Sequence, residues 1–170
     1  MMRTWITAVS LLLLIAVTIG CAKQSAATLG RESAKVDRMV DGDTFEVTLK
    51  GKKEKVRLIG VDTPETKKPN TPVMFYGKEA SDYSKKRLLK QTVELEFDVE
   101  KQDQYKRLLA YVWIGDELFN RTLIQEGYAR MATYPPNVKY VDLFKKDQEE
   151  ARNKKKGLWQ DYDRAFDTKK

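Results

Sequence analysis

The sequence predicts an α+β domain, mainly β, in which five strands form a small Greek-key barrel and about three helices lie at its rim. Three observations support this fold class: segments in which apolar and polar residues alternate, glycine turn signals between them, and stretches with helical spacing. The chain has 170 residues, of which 41% are hydrophobic, so it can bury one domain core.

The first three strands are predicted between residues 36 and 61. Phe45 and Leu49 lie in a segment where apolar and polar residues alternate. The residues KGKK at 50–53 are typical of a glycine hairpin, and VRLIGV follows at 56–61. The second and third strands are therefore expected to pair with each other.

Two further strands are predicted at 92–100 and 107–114. RLLAYVWI, over 107–114, is apolar on both faces, which indicates a central strand. The other segment alternates, and this pattern predicts which side chains face the core. The predicted inward side chains are Val93, Leu95, Phe97 and Val99, and the outward ones are Glu94, Glu96, Asp98 and Glu100.

Three segments are predicted to be helices. Residues 77–89 carry one apolar stripe, 120–126 end at Gly127, and 139–156 end at Gly157, where a glycine can cap each helix. Five strands and three helices in this order predict an OB-fold, the five-stranded Greek-key barrel.

Residues 1–20 have the plan of a secretory signal peptide, with a positive start at Arg3 and a long apolar run. A transmembrane anchor is the alternative, although the run is short for a full span. Gly20-Cys21 resembles the lipobox of bacterial lipoproteins, which implies lipid on Cys21, a membrane anchor, and a flexible tether over 21–34. The protein is thus expected outside the cytoplasm, as a membrane lipoprotein or in secreted form.

Composition narrows the possible chemistry. The net charge of +7 favours an anionic partner such as nucleic acid or a membrane, and a solvated basic surface is the equal alternative. The sequence has no histidine, which excludes a Ser-His-Asp triad and histidine zinc sites. Cys21 is its only cysteine. Catalysis must therefore use carboxylates, Arg, Lys, Tyr, hydroxyl groups or a metal held by oxygen.

A carboxylate cluster is predicted where the second and third strands meet. Asp43 lies two residues before Phe45, so its side chain is expected on the inward face of the same strand. Asp62 follows the third strand directly. Two carboxylates with a backbone carbonyl nearby can hold a hard cation. Pro64 keeps the chain extended, so Glu65 is expected across the same opening, where it can take a proton from water. A plain acidic turn and a solvent loop are the alternatives.

Two arginines are expected beside these carboxylates. Arg57 shares a strand face with apolar residues, and buried charge is rare unless it is paired or used. Arg107 enters the central strand from the segment DQYKR. Guanidinium groups bind phosphate in a bidentate way, so the combination with carboxylates suits phosphodiester hydrolysis.

The segments VDGDTFEV, VRLIGVDTPET, DQYKRLLAYVW and KKGLW resemble the staphylococcal nuclease family, the thermonuclease-like domains. The resemblance covers the predicted domain at 35–160 and leaves a charged tail at 161–170. It implies cleavage of DNA, and of RNA, with Ca²⁺ as cofactor and 3′-phosphate products. It implies no protein partner, which favours a monomer.

The resemblance also implies roles for individual residues. Asp43 and Asp62 correspond to calcium ligands, and Thr63 offers its backbone carbonyl to the ion. Glu65 corresponds to the general base. Arg57 and Arg107 correspond to the catalytic arginines, which bind and stabilise the phosphate. Tyr105 corresponds to a residue that contacts the terminal phosphate of the substrate.

Two positions depart from the family pattern. Lys106 stands where glycine is common, so either the turn has negative φ or a phosphate contact offsets the strain of a positive φ. Around MATYPPN, Tyr134 rather than Thr133 is the expected base-stacking residue. We therefore assign Lys106 and Tyr134 to substrate binding, with Tyr105.

The alternative to a nuclease is a catalytically silent OB-fold lipoprotein of the cell envelope that binds nucleic acid or protein. Such relatives lose the base or the arginines. Arg57, Glu65 and Arg107 are all present, which favours the enzyme.

Overall fold

Five long strands close into a barrel, and the helices pack around it, which confirms the predicted α+β fold class. The structure is a computed structural model and describes residues 30–66 and 73–166. Its strands are β1 (Arg31–Met39), β2 (Thr44–Leu49), β3 (Lys52–Leu58), β4 (Val61–Asp62), β5 (Thr92–Glu96), β6 (Leu108–Ile114), β7 (Glu117–Leu118) and β8 (Arg130–Met131). Its helices are α1 (Gly77–Leu88), α2 (Phe119–Gln125), α3 (Val141–Asn153) and α4 (Tyr162–Phe166), with a 3₁₀ turn at Gly157–Gln160.

Strand pairing follows the OB-fold pattern. β1 pairs antiparallel with β2 and with β5, β2 pairs with β3, and β5 pairs with β6. A parallel pairing between β3 and β6 closes the barrel. Because closure pairs the long strands on both sides, it removes the free sheet edges that would otherwise promote aggregation.

Helix α2 is fixed to the barrel by one buried side chain. The Asn120 amide donates to the Ile59 carbonyl at 2.8 Å and accepts from the Val112 amide at 2.8 Å. A buried amide with satisfied hydrogen bonds costs little, whereas an unsatisfied one would be expensive. Asn120 thus joins α2 to the end of β3 and to β6, next to the strand ends that carry the predicted site.

The predicted pattern of the fourth strand is wrong at its C-terminal end. Val99 was predicted inward but is 72% exposed, and Glu96 was predicted outward but is 8% exposed. Strand β5 ends at Glu96, so the alternation has no meaning beyond it. The Glu96 carboxylate is buried because it accepts hydrogen bonds from Trp113 at 2.7 Å and from Tyr140 at 3.1 Å.

The three predicted helices are present as α1, α2 and α3, and two predicted boundaries change. Residues 31–34 belong to β1 rather than to the tether over 21–34, and α4 lies inside the predicted tail over 161–170, with Ala165 buried. The leader and Cys21 lie outside the described residues. Within 30–66 and 73–166, no helix is long and apolar enough to cross a membrane.

Candidate active site

The turn between β1 and β2 carries the first predicted carboxylates. A Cβ added at Gly42 would lie 2.8 Å from Thr63 Oγ1, so only glycine lets this turn pack against the residue that follows β4. Ser84 on α1 donates to the Gly42 carbonyl at 2.6 Å. The turn is therefore held from two sides, and Asp43 is placed against the end of β4.

Asp43 and Asp62 converge on one guanidinium group. Arg57 on β3 forms ion pairs with the carboxylate of Asp43 and, at 3.3 Å, with that of Asp62. Burial lowers the pKa of the Arg57 guanidinium, and the Asp62 carboxylate opposes this effect. Because one guanidinium contacts both carboxylates, Asp43 and Asp62 lie close together at this point of the barrel.

The oxygens around this point suit a hard cation. Asp43 is 6% exposed and accepts hydrogen bonds from the Thr63 amide at 3.0 Å and from the Thr44 hydroxyl at 3.0 Å. Carboxylates and a backbone carbonyl are the ligands that Ca²⁺ prefers. In the described part of the chain, no three acidic, histidine or cysteine side chains are arranged to hold a metal, so any cation here would depend on Asp43 and Asp62 with other oxygens.

Glu65 lies beside Asp41 at the same opening. Its carboxylate accepts from the Thr66 amide at 2.9 Å, and the Thr66 hydroxyl donates to Asp41 at 2.8 Å. Burial raises the pKa of the Asp41 carboxyl, and the neighbouring Glu65 carboxyl raises it further. Glu65, which directly follows Pro64, therefore lies in the carboxylate cluster with Asp41.

Arg107 is held by a tight turn that begins at Asp103. The Asp103 carboxylate accepts from the Arg107 backbone amide at 3.0 Å and from its Nε at 2.7 Å. Between them, Lys106 has a φ of +62°, so the alternative of a turn with negative φ is wrong. The strained turn fixes the direction of the Arg107 guanidinium.

These side chains line a cavity of about 480 Å³, which we call the mouth. The mouth is open to solvent on one side of the barrel and combines both predicted arginines with the carboxylates. Its lining includes Asp41, Asp43, Arg57, Asp62, Thr63, Glu65 and Arg107.

A second cavity of about 480 Å³, the tyrosine groove, shares Arg57 and Arg107 with the mouth. Tyr105 and Tyr134 also line it, and each is 72% exposed. Two exposed rings at a common groove can stack on flat ligands. Lys106 does not line either cavity, although it lies between two residues that do.

Sequence reasoning missed Arg130. This arginine lies on β8, which pairs with β4, and it donates to the Asp62 carboxylate through Nε at 3.0 Å. Arg130 also donates a second hydrogen bond, to the Tyr162 hydroxyl at 3.0 Å. The pairing joins residues 68 positions apart through strands of two residues each, so no local pattern could have revealed it.

Residues 55–161 match the family described as staphylococcal nuclease homologue. The chain is 52% identical over 141 residues to the thermonuclease of Staphylococcus intermedius, covering 83% of this chain and 84% of the relative. It is 52% identical over 128 residues to the thermonuclease of Staphylococcus hyicus, with coverage of 75% and 76%.

A third relative is the SPbeta prophage-derived endonuclease YokF of Bacillus subtilis (strain 168), 48% identical over 126 residues. That match covers 73% of this chain and 43% of the relative. Fold, family match and relatives agree, and the chain therefore belongs to the staphylococcal nuclease family, as a nuclease-type hydrolase built on an OB-fold barrel.

Proposed function

We propose that the protein is a calcium-dependent nuclease that acts outside the cytoplasm on DNA, and on RNA, with low sequence specificity and 3′-phosphate products. The observation that carries the proposal is the mouth, where a base candidate, two arginines and a pair of carboxylates line one cavity. A silent binding protein has no need of this combination. The names of the relatives, thermonuclease and endonuclease, support the same activity.

Glu65 is proposed as the general base. Its side chain reaches the mouth next to Asp41, and the hydrogen bond from the Thr66 amide holds one of its oxygens. A carboxylate in this position can take the proton from a water that attacks phosphorus.

Arg57 and Arg107 are proposed to bind the scissile phosphate. Both line the mouth and the tyrosine groove, so a phosphate at their shared wall would meet both guanidinium groups. Arginines stabilise the extra negative charge that develops on the phosphate oxygens as water attacks. Tyr105 and Tyr134 would then contact the adjoining nucleotide, and Lys106 would add a charge at the rim.

Asp43, Asp62 and the Thr63 carbonyl are proposed to hold Ca²⁺. Bound there, the ion would act as a Lewis acid toward a phosphate oxygen. The contacts of the Arg57 guanidinium with both carboxylates support a substrate phosphate that binds to Arg57 next to the ion.

Incubation of the purified protein with plasmid DNA tests the activity and the ion together. We expect cleavage with Ca²⁺, loss of cleavage with chelator, and much slower cleavage with Mg²⁺, which demands tight octahedral geometry. End-group analysis should find 3′-phosphates. Equal rates with the two ions would contradict the calcium assignment, and intact plasmid under every condition would contradict the nuclease.

The location outside the cytoplasm depends on the leader and Cys21. If Cys21 carries lipid, Cys21→Ser should move the protein from the membrane fraction to the medium or leave an uncleaved precursor. Fractionation followed by mass spectrometry measures both. An unchanged distribution and mass would mean that Cys21 is not lipidated.

A further inference from the structure

A third cavity, of about 350 Å³, lies beyond the tyrosine groove and has no part in the proposed hydrolysis. We call it the distal pocket. Arg130, Thr133, Tyr134, Arg152 and Trp159 belong to its lining, and no Asp or Glu of the described chain does. Arg130 pairs with Asp62 at 2.9 Å, so the positive charge that no nearby carboxylate within the described residues balances is that of Arg152.

Two residues of the distal pocket lining also carry polar atoms that have no hydrogen-bond partner in the described part of the chain. Thr133 Oγ1 and Trp159 Nε1 are buried and lack a partner among the described residues. Gln148 uses its amide oxygen to accept from the Met131 amide at 2.7 Å, which leaves its NH₂ group as a donor. Buried donors without partners are uncommon in folded proteins, and each one calls for an explanation such as a bound ligand.

The chemistry of this lining selects an anion with several oxygens. Arginine, tryptophan N–H and the amide NH₂ can only donate, and they need acceptors. A phosphate group offers acceptor oxygens and negative charge together, and the planar guanidinium of arginine matches its geometry in a bidentate way.

The distal pocket is continuous with the proposed substrate path. Tyr134 lines both the tyrosine groove and the distal pocket, while Arg57 and Arg107 line both the groove and the mouth. Arg130 makes a second connection, since it pairs with Asp62 in the mouth and lines the distal pocket. A chain leaving the mouth along the groove therefore reaches the distal pocket after it passes Tyr134.

We propose that the distal pocket binds a backbone phosphate of a single-stranded polynucleotide, beyond the nucleotide that stacks on Tyr134. This rests on the proposed function, because it treats the groove as the path of the substrate. The affinity of the protein for a substrate then depends on the length of the strand, and Arg152 is the residue that contacts the distal phosphate. Longer substrates then bind more tightly than short ones.

Arg152 could instead have a purely structural role in packing. Its guanidinium lies over the Trp159 ring, 5.3 Å from the ring centroid. Such a contact stabilises packing without any ligand. The two roles differ in what they predict. Packing affects all substrates equally, whereas a phosphate contact affects only those long enough to reach the pocket.

The test measures binding without cleavage, in protein that carries Glu65→Gln and is kept in chelator. One ligand is a dinucleoside monophosphate, and the other is a single strand of about 12 nucleotides, within the range that OB-folds cover. Arg152→Gln should weaken binding of the long strand about tenfold and lower its salt slope by about 0.7, the value for one phosphate contact. The ratio of long-strand to short-ligand affinity should fall by the same factor.

Lys146→Gln is the matched control. Lys146 is exposed on α3, lies six residues before Arg152 and so on another face of the helix, and does not line the distal pocket. Its substitution removes the same charge, and we expect the length ratio to stay unchanged. If both variants lower the ratio equally, the effect is general electrostatics and the proposal is wrong.

The remaining outcomes each decide the proposal. Equal weakening of long and short ligands by Arg152→Gln would assign Arg152 to packing, and unaltered binding would remove it from substrate recognition. Saturation of the pocket by micromolar inorganic phosphate, followed by Trp159 fluorescence, would assign it to free phosphate instead. A protein that binds the long strand as expected but never cleaves plasmid would contradict the proposed function and leave the distal pocket supported.

Discussion

The mouth and the distal pocket are joined by the Asp62–Arg130 ion pair, yet they satisfy their polar groups in different ways. In the mouth, Asp43 accepts from the backbone and hydroxyl of Thr63 and pairs with Arg57. In the distal pocket, polar atoms of Thr133 and Trp159 are buried and have no partner within residues 30–66 and 73–166. Neighbouring cavities of one fold thus hold a satisfied network and an unsatisfied one.

The two cavities therefore differ in how far they are preorganised before a ligand binds. The mouth is organised by its own charges, so it keeps its geometry before any substrate arrives, which is what catalysis requires. In the distal pocket, Thr133 and Trp159 carry polar atoms without a partner in the described part of the chain, so an acceptor that reaches them would lower the free energy of the bound state. Substitutions in each cavity test this difference, and the largest effect is expected in the mouth.

Glu65→Gln should abolish most catalysis and leave the mouth folded. Glutamine keeps an oxygen that can accept from the Thr66 amide, so the local turn survives, but it cannot take a proton. General base catalysis contributes about 10²- to 10⁴-fold, and the rate of plasmid cleavage should fall by that factor. Circular dichroism and thermal unfolding serve as the check on folding. A well-folded variant that keeps most of the activity would remove Glu65 from the role of base.

Calcium should stabilise the protein through the mouth alone. At about 100 times its Kd, a ligand that binds only the folded state adds about 2.7 kcal/mol to the free energy of unfolding. Asp43→Asn should abolish this gain, because it removes one of the two carboxylates that converge on Arg57. Arg152→Gln, in the distal pocket, should keep the full gain. Chemical denaturation with calcium and with chelator measures it, and an undiminished gain in Asp43→Asn would place the ion elsewhere.

The barrel and the mouth follow from sequence because their signals are local. Alternation around Phe45 and a hairpin at Gly51 predict the pairing of β2 with β3, and that pairing brings Asp43 near Asp62. Local signals fail where distant segments decide the outcome. Glu96 is buried because Trp113 and Tyr140 reach it, which no alternation rule contains.

The distal pocket lay beyond sequence reasoning for the same reason. It is assembled from β8, the segment after it, α3, the 3₁₀ turn and α4, and these elements meet only in the folded chain. The KKGLW motif, which contains Trp159, supported the family resemblance, but it did not indicate an indole N–H without a partner in the described part of the chain. An unsatisfied donor is a property of tertiary structure, and sequence patterns carry no signal for it.

Thr133→Val should stabilise the protein while it weakens binding of long strands. The Thr133 hydroxyl is buried without a partner among the described residues, and valine has nearly the same shape. Leaving a buried hydroxyl unsatisfied costs about 1–3 kcal/mol, so its removal should add about 1 kcal/mol to the free energy of unfolding in phosphate-free buffer.

Thr48→Val is the control for Thr133→Val, because the Thr48 hydroxyl donates to Asp37 at 2.7 Å. Here the substitution breaks an existing hydrogen bond, so stability should fall by about 1 kcal/mol. Urea denaturation of both variants gives the comparison. A loss of stability in Thr133→Val as well would show that its hydroxyl is satisfied in solution, and the contrast between the two cavities would then disappear.

The smallest expected effect concerns Lys106, at the turn that directs Arg107 into the mouth. A φ of +62° destabilises the folded state of a residue with Cβ by about 1–2 kcal/mol, and glycine removes that strain. Glycine also gives the unfolded chain more conformational entropy, which lowers the free energy of unfolding by about 0.4–1 kcal/mol. Lys106→Gly should therefore raise the free energy of unfolding by about 0.5–1 kcal/mol. Lys155→Gly is the matched control, since Lys155 has a φ of +48° at the end of α3 and lines none of the three cavities.

Both glycine variants should gain stability, and only substrate binding separates them. If Lys106 contacts phosphate, Lys106→Gly raises KM and lowers the salt slope for a single strand by about 0.7, whereas Lys155→Gly changes neither. Lys106 lies outside the lining of the mouth and of the tyrosine groove, so its ammonium would reach the substrate only from the rim, where salt screens it. The contact should therefore weaken sharply above about 0.15 M salt.

A Lys106→Gly protein that gains stability with unaltered KM and salt slope would show that Lys106 does not take part in substrate binding. A protein that loses stability would show that the strain at this turn is relieved in solution.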